Sequence, residues 1–233
     1  MNKQSNVYTL IYIIVLVVLV GTALAITAIS LKPRQQANAD ADKMRQILAS
    51  VNVDAGTDAI ATYNEYITES FVVNEDGAVD SNADAFAVDV AKQSKASATE
   101  RLLPVYKCTL SDGVVKYILP MYGAGLWGPI WGYVSVDADG TTIYGAYFAH
   151  QGETPGLGAE IEKPAFSSQF AGKQLFRNGT FIPVAVVKAG QHPADDADYV
   201  DGISGGTITS KGVGAMIDNC LRPYSAFLES LNK

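Results

Sequence analysis

From residue 4 to residue 31 no acidic or basic side chain occurs, and the centre of the run, LIYIIVLVVLVGTALAITAISL, is almost wholly apolar. About 20 such residues cross a bilayer as a helix, so this stretch can span once. A cleaved signal peptide is the competing reading, because TALA at 22–25 resembles a small-residue cleavage site. The apolar run continues past that site and is too long for a signal core, so an uncleaved anchor is expected. With no carboxylate, lysine or histidine inside it, the anchor offers no ion path of its own. Lys3 flanks one end and Lys32 and Arg34 the other, a slight bias that by count alone would leave the following domain inside.

All the acidic residues lie after the anchor, in about 200 residues, enough for one domain with its own core. The net charge of −7 disfavours nucleic acid as a partner. Two cysteines, Cys108 and Cys220, are too few for a disulfide framework or a four-cysteine cluster, and are expected as small buried apolar residues.

The segment NADADKMRQILASVNVDAG opens on acids, repeats Met44, Ile47, Leu48 and Val51 at helical spacing, and predicts a short amphipathic helix ending near Gly56. DAIATYNEYITESF predicts a second helix with Ile60, Tyr63, Ile67 and Phe71 on one face, followed by an apolar strand and a turn at NEDG. Residues 103–150 then read as an antiparallel meander. VYKCTL and VVKYILPMYG flank SDG, and GLWGPIWGYVSV and TTIYGAYFAH flank DADG, with aromatic and β-branched residues throughout. Glycines at 123, 125, 128 and 132 weaken a strand unless something approaches closely. Trp127 and Trp131, four apart, would share one face of a regular strand, either packing in the core or lining a ring-shaped ligand.

Pro155 and Gly156 force a turn within HQGETPGLGAEIEKPAF, and a further strand is expected at GTFIPVAVVK. The terminal segment puts Val213, Ile217, Cys220, Tyr224, Phe227 and Leu231 on one stripe, an amphipathic helix kinked by Pro223. The expected fold class is α+β: one N-terminal transmembrane helix, then a domain of twisted antiparallel sheet packed with helices.

Just before that helix stands SGGTITSKG, with two adjacent glycines, four hydroxyls and a lysine. Free N–H groups and the positive end of a helix dipole favour a phosphate there. Gly205 and Gly206 let an anion approach the backbone, and Lys211 places a full positive charge in the expected first turn. A plain N-cap by Thr209 or Ser210 is the competing reading. The loop is neither a Walker motif nor the dinucleotide fingerprint. The residues alone support a phosphate-binding loop.

SGGT at 204–207 followed by ITS resembles the flavinylation motif Ser/Thr-Gly-Ala-Thr of the FMN-binding domain family. ETPGLG at 153–158 and GLWGPIWGY at 125–133 resemble two further signatures found together in the C subunits of bacterial sodium-translocating NADH:quinone reductases. The resemblance covers the whole chain, anchor included, and implies domains at 1–33 (anchor), 34–100 (helical and linker part) and 101–233 (FMN-binding domain). It implies that Thr207 carries FMN covalently, as a phosphoester made by a dedicated flavin transferase, with Ser204, Gly205, Gly206 and Lys211 around the phosphate. It also sets Glu153, Thr154, Gly156, Leu157, Gly158 and Trp127 near the flavin. Gly206 stands where the family has alanine, which is expected to loosen the loop.

The resemblance further implies an electron carrier on a route from NADH to quinone, coupled to sodium export, held in the inner membrane with its domain on the periplasmic side. NADH, quinone and sodium sites then belong to other subunits, since no Gly-rich dinucleotide turn follows a strand here. Two alternatives remain: the homologous flavin subunit of the ferredoxin/NADH electron-transport complex, and a membrane-tethered assembly protein without flavin. His150 and Glu153, three apart, could suggest a metal, but the following Pro-Gly turn argues against a helix there, and His150 is expected to hydrogen-bond at a strand end.

Overall fold

The computed structural model describes residues 6–80, 82–97, 100–194 and 196–232. The chain divides into two compact units, Met1–Lys43 and Met44–Lys233. The first is built on helix α1 (Asn6–Ala49), which is long and apolar enough to cross a membrane and whose apolar side chains from Val7 to Leu31 are exposed. α1 runs without a break through Pro33 to Ala49, where a separate helix had been expected. A proline removes one intrahelical N–H, and the alanines, glutamines and charged residues after it are good helix formers that carry the helix on. It stops at Ala49 rather than near Gly56, in a turn with Asn52 at φ 59°.

Helix α2 (Ala59–Tyr66) is capped by Asp58, whose carboxylate accepts the Ala61 N–H. It ends five residues before Phe71, because Ile67 and Phe71 lie on strand β1 (Ile67–Val73) and not on a helix face. Spacing of four suits a strand as well as a helix, and pairing with the next strand decides it, Phe71 facing Val105. After β2 (Val79–Asp80) and the short helix α3 (Val90–Gln93) come β3 (Leu103–Thr109), β4 (Val115–Ala124), β5 (Pro129–Asp137) and β6 (Ile143–His150). These strands form the expected meander within a six-stranded sheet of order β2-β1-β3-β4-β5-β6, every neighbouring pair antiparallel.

Period-two alternation gives the sheet two buried faces. Ile67, Val72, Tyr106, Cys108, Ile118 and Tyr133 pack with Ile47, Leu48, Val51 and Tyr63. Phe71, Val105, Leu119, Met121, Val134 and Phe148 pack on the other face with α5 (Thr207–Leu221) and α6 (Ser225–Leu231). The expected stripe is buried at Val213, Ile217, Cys220, Tyr224 and Phe227, and Pro223 marks a 3₁₀ turn, Arg222–Tyr224, that separates the two helices.

Between β6 and α5 run helix α4 (Pro164–Ser167) and four short strands. β7 (Phe176–Arg177) pairs antiparallel with β8 (Thr180–Phe181), and β9 (Ala185–Val187) pairs parallel with β10 (Tyr199–Asp201). The single strand expected at GTFIPVAVVK is thus two, split at Pro183, which has no N–H for a ladder.

Candidate functional site

α5 begins at Thr207, three residues earlier than a cap at Ser210 would allow. Thr209 and Ser210 are therefore helical and buried, and the N-cap is Gly206, which has no side chain to satisfy the first-turn N–H groups. Lys211 is the fifth helical residue, in the second turn rather than the first. Ser210 Oγ instead accepts the Ile203 N–H at 2.9 Å and closes the loop on itself. Ser204, Gly205, Thr207 and Lys211 are exposed. Gly205 adopts φ 76°, and a Cβ there would lie 2.6 Å from Leu157 Cδ2, so glycine is required on both counts. Gly206 is buried, and an alanine methyl would press on Ile203 and Leu157 at 3.1–3.2 Å. The missing methyl faces inward, so it does not bear on access to Thr207.

Upstream, Gln169 clamps the end of β10: its Oε1 accepts the Asp201 N–H at 2.9 Å and its Nε2 donates to the Asp201 carbonyl at 3.3 Å. β10 thereby delivers the glycine loop to a fixed place beside β9. A cleft of about 430 Å³ opens there, lined among others by Val186, Lys188, Ser204, Gly205, Thr207 and Lys211. Lys188 was not visible as a site residue in the sequence, since nothing local ties it to a loop some twenty positions downstream.

The ETPGLG segment meets this loop from the other side. Gly156 has φ 74° and donates its N–H to Glu160 Oε1 at 3.0 Å, while the Thr154 carbonyl accepts the N–H groups of Leu157 and Ala159. Thr154 and Leu157 are exposed, Gly158 is buried, and the 3₁₀ turn Gly158–Glu162 follows. Glu153 is buried, with 5 % of its surface exposed. Its Oε2 accepts from Thr209 Oγ1 at 2.5 Å and its Oε1 from the Trp127 N–H at 2.8 Å. Burial acts to raise this carboxyl, but the bonds from Thr209 and from the Trp127 and Leu126 amides hold it below its usual value. Two glycines make the room: a Cβ on Gly125 would come within 2.5 Å of Glu153 Oε1, and one on Gly158 would overlap Oε2. His150 sits at the end of β6 as expected, its Nδ1 accepting the Glu153 N–H and its own N–H donating to Glu162 Oε1, both at 3.1 Å.

The two tryptophans do not share a face. Trp127 lies in the β4–β5 turn with 69 % of its surface exposed, whereas Trp131 is on β5 with its indole N–H donating to Gln46 Oε1 at 2.9 Å. Close approach accounts for Gly132, whose Cβ would overlap the Tyr147 carbonyl, and for Gly123, where it would lie 2.7 Å from Met216 Cβ on α5.

Three separated segments, 125–128, 153–158 and 204–211, thus converge on one buried carboxylate and one helix start. The FMN-binding domain family matches residues 125–222, the stretch that contains all three. Over 228 residues the chain is 34% identical to the C subunit of the Na(+)-translocating NADH-quinone reductase of Vibrio anguillarum, covering 91% of this chain and 89% of that protein. The chain belongs to this C-subunit family. A Pseudomonas aeruginosa member is 30% identical and spans 100% of this chain and 98% of its own length. The crystal structure of the Parabacteroides distasonis member superposes with a TM-score of 0.79 at 56% identity, covering 85% of this chain and 96% of that one. The α+β architecture described above is therefore the family's.

Proposed function

We propose that this chain is the flavin-bearing electron carrier of a Na+-translocating NADH:quinone reductase and holds FMN as a phosphoester on Thr207. One observation carries the reading: an exposed threonine hydroxyl at the first position of an uncapped helix, on the rim of a cleft that Lys211 also lines. The residues fit a phosphate. Gly205 and Gly206 clear the backbone, and the helix terminus and Lys211 meet the charge that a phosphodiester retains. Bound FMN would supply redox chemistry in a ring whose electronics the protein sets by contacts alone, since attachment through phosphate leaves the ring unmodified.

Thr154, Gly156 and Leu157 present the exposed turn nearest the glycine loop, and Trp127 the exposed aromatic on its far side. Gly158 and Glu153 act beneath them, as the floor that holds these segments in register. A flavin transferase reaches Thr207 because the loop is exposed. α1 anchors the chain in the inner membrane as a single span, and the FMN-binding domain, taken as 101–233 with a helical part at 34–100, stands on the periplasmic side. Other subunits provide the NADH, sodium and quinone sites, the quinone being ubiquinone or menaquinone.

Mass analysis of the peptide containing Thr207 tests the bond directly. Denatured wild-type protein keeps flavin fluorescence and Thr207→Ala loses it; a variant as fluorescent as wild type would sink the assignment. Protease added to intact spheroplasts should cut the domain, and full protection would reverse its orientation.

A further inference from the structure

We propose that the cleft beside Thr207 is a non-covalent site for the free, phosphorylated flavin, with Lys188 as its second cation; this rests on reading Thr207 as the attachment point. The cleft lies between the end of β9 with the following 188–191 segment and the 202–211 segment. Its volume of about 430 Å³ falls within the range of small-molecule sites. Val186 and Ile203 give it apolar walls.

Two lysines line it, Lys188 after β9 and Lys211 on α5, in a chain whose net charge is −7. Among the described residues no carboxylate lines the cleft, and none lies within ion-pair distance of either lysine. Other cations of the domain do have such partners, as in Lys107–Glu69, Lys116–Asp137 and Arg177–Asp198. Ser210 also lines it with 6 % of its surface exposed, and because its oxygen accepts the Ile203 N–H, its own O–H is left to donate.

Charge decides what such a cleft receives. A phosphodiester on Thr207 carries one negative charge, whereas a terminal phosphate monoester carries about −1.5 to −2 at neutral pH. Two lysines match the monoester, which is the nucleotide before it is joined. The cleft therefore recognises the phosphate end of the unattached flavin nucleotide and delivers it to the threonine on its rim.

The test uses the full-length Thr207→Ala protein, purified in detergent, which cannot be loaded covalently. FMN and riboflavin are titrated in turn and binding is read from flavin fluorescence. FMN should bind at least about tenfold tighter than riboflavin, a margin expected of one charge-assisted contact. High salt should narrow the gap and inorganic phosphate should compete with FMN alone. Adding Lys188→Gln should cost about tenfold in FMN affinity and leave riboflavin unchanged, while Lys188→Arg keeps most of it. Equal binding of the two flavins, no binding of FMN, or an unchanged FMN affinity in Lys188→Gln would each overturn the proposal. Wild-type protein without a flavin adduct by intact mass would instead defeat the attachment at Thr207, and this titration would still read the cleft.

Discussion

The hydroxyl of Thr209 donates to Glu153 Oε2 at 2.5 Å, joining residues 56 positions apart. The other carboxylate oxygen accepts the Trp127 N–H, so one buried side chain ties the β4–β5 turn, the ETPGLG turn and the start of α5. A single acid thereby sets the mutual position of the three segments that surround Thr207.

Glu153→Gln should weaken the domain markedly. Glutamine offers one acceptor oxygen where the carboxylate offers two, so its amide N–H₂ must face a hydroxyl or backbone donor. Leaving one such buried group unsatisfied costs about 1–3 kcal/mol. Thermal melts of the two proteins side by side check this, and equal midpoints would mean that the carboxylate is not the tie described.

The same contacts give the fold a dependence on acid. The Glu153 carboxyl is held below its usual value when folded, so its contribution is fully present above the unfolded value of about 4.3 and is lost as pH falls through the folded one. Denaturant unfolding between about pH 5 and 3 should show wild type losing stability faster than Glu153→Gln, which has no proton to gain at this position. Parallel pH curves would assign the acid lability to other carboxylates.

Gly158 is predicted to be intolerant of alanine because of Glu153. A Cβ there would overlap both Glu153 Oε2 and Thr209 Oγ1, and overpacking of this kind typically costs about 1–3 kcal/mol. In a Glu153→Ala background much of that obstruction is gone, so the two substitutions should be less than additive, with a coupling of at least about 0.5 kcal/mol. Strict additivity in the double-mutant cycle would show that the clash lies elsewhere.

Local pattern made some of this legible and could not reach the rest. The meander was readable because strand periodicity and Gly turns are local, and the terminal stripe because Val213, Ile217, Cys220, Tyr224 and Phe227 keep helical period across Pro223. Ile67 and Phe71 misled because a spacing of four fits either period, and only pairing with β3 settles it. The start of α5 was set too late, since Thr209 and Ser210 are good caps in isolation, yet both hydroxyls are used in tertiary contacts. Glu153 drew attention through its motif, but its partners come from segments distant in sequence, and Lys188 enters only when β9 is laid beside β10.

Cys108 and Cys220 should be inert in the folded protein. Cys108 belongs to the core on the α2 side of the sheet and Cys220 to the core under α5, so the sheet stands between them and they are unpaired. Burial pushes the Cys108 thiol up to about 11, and burial likewise raises Cys220, whose sulfur is held by the Tyr122 backbone. A thiol needs both access and its anion to react, and neither cysteine has either near neutral pH. An alkylating reagent at about pH 8, where an ordinary thiol of pKa about 8.5 reacts readily, should add nothing to native protein within the time that labels both sites after denaturation. Mass spectrometry counts the adducts. One or two equivalents on native protein would mean that a core face opens to solvent, and that the packing of α5 on β4 is looser than the close contact of Gly123 with Met216 requires.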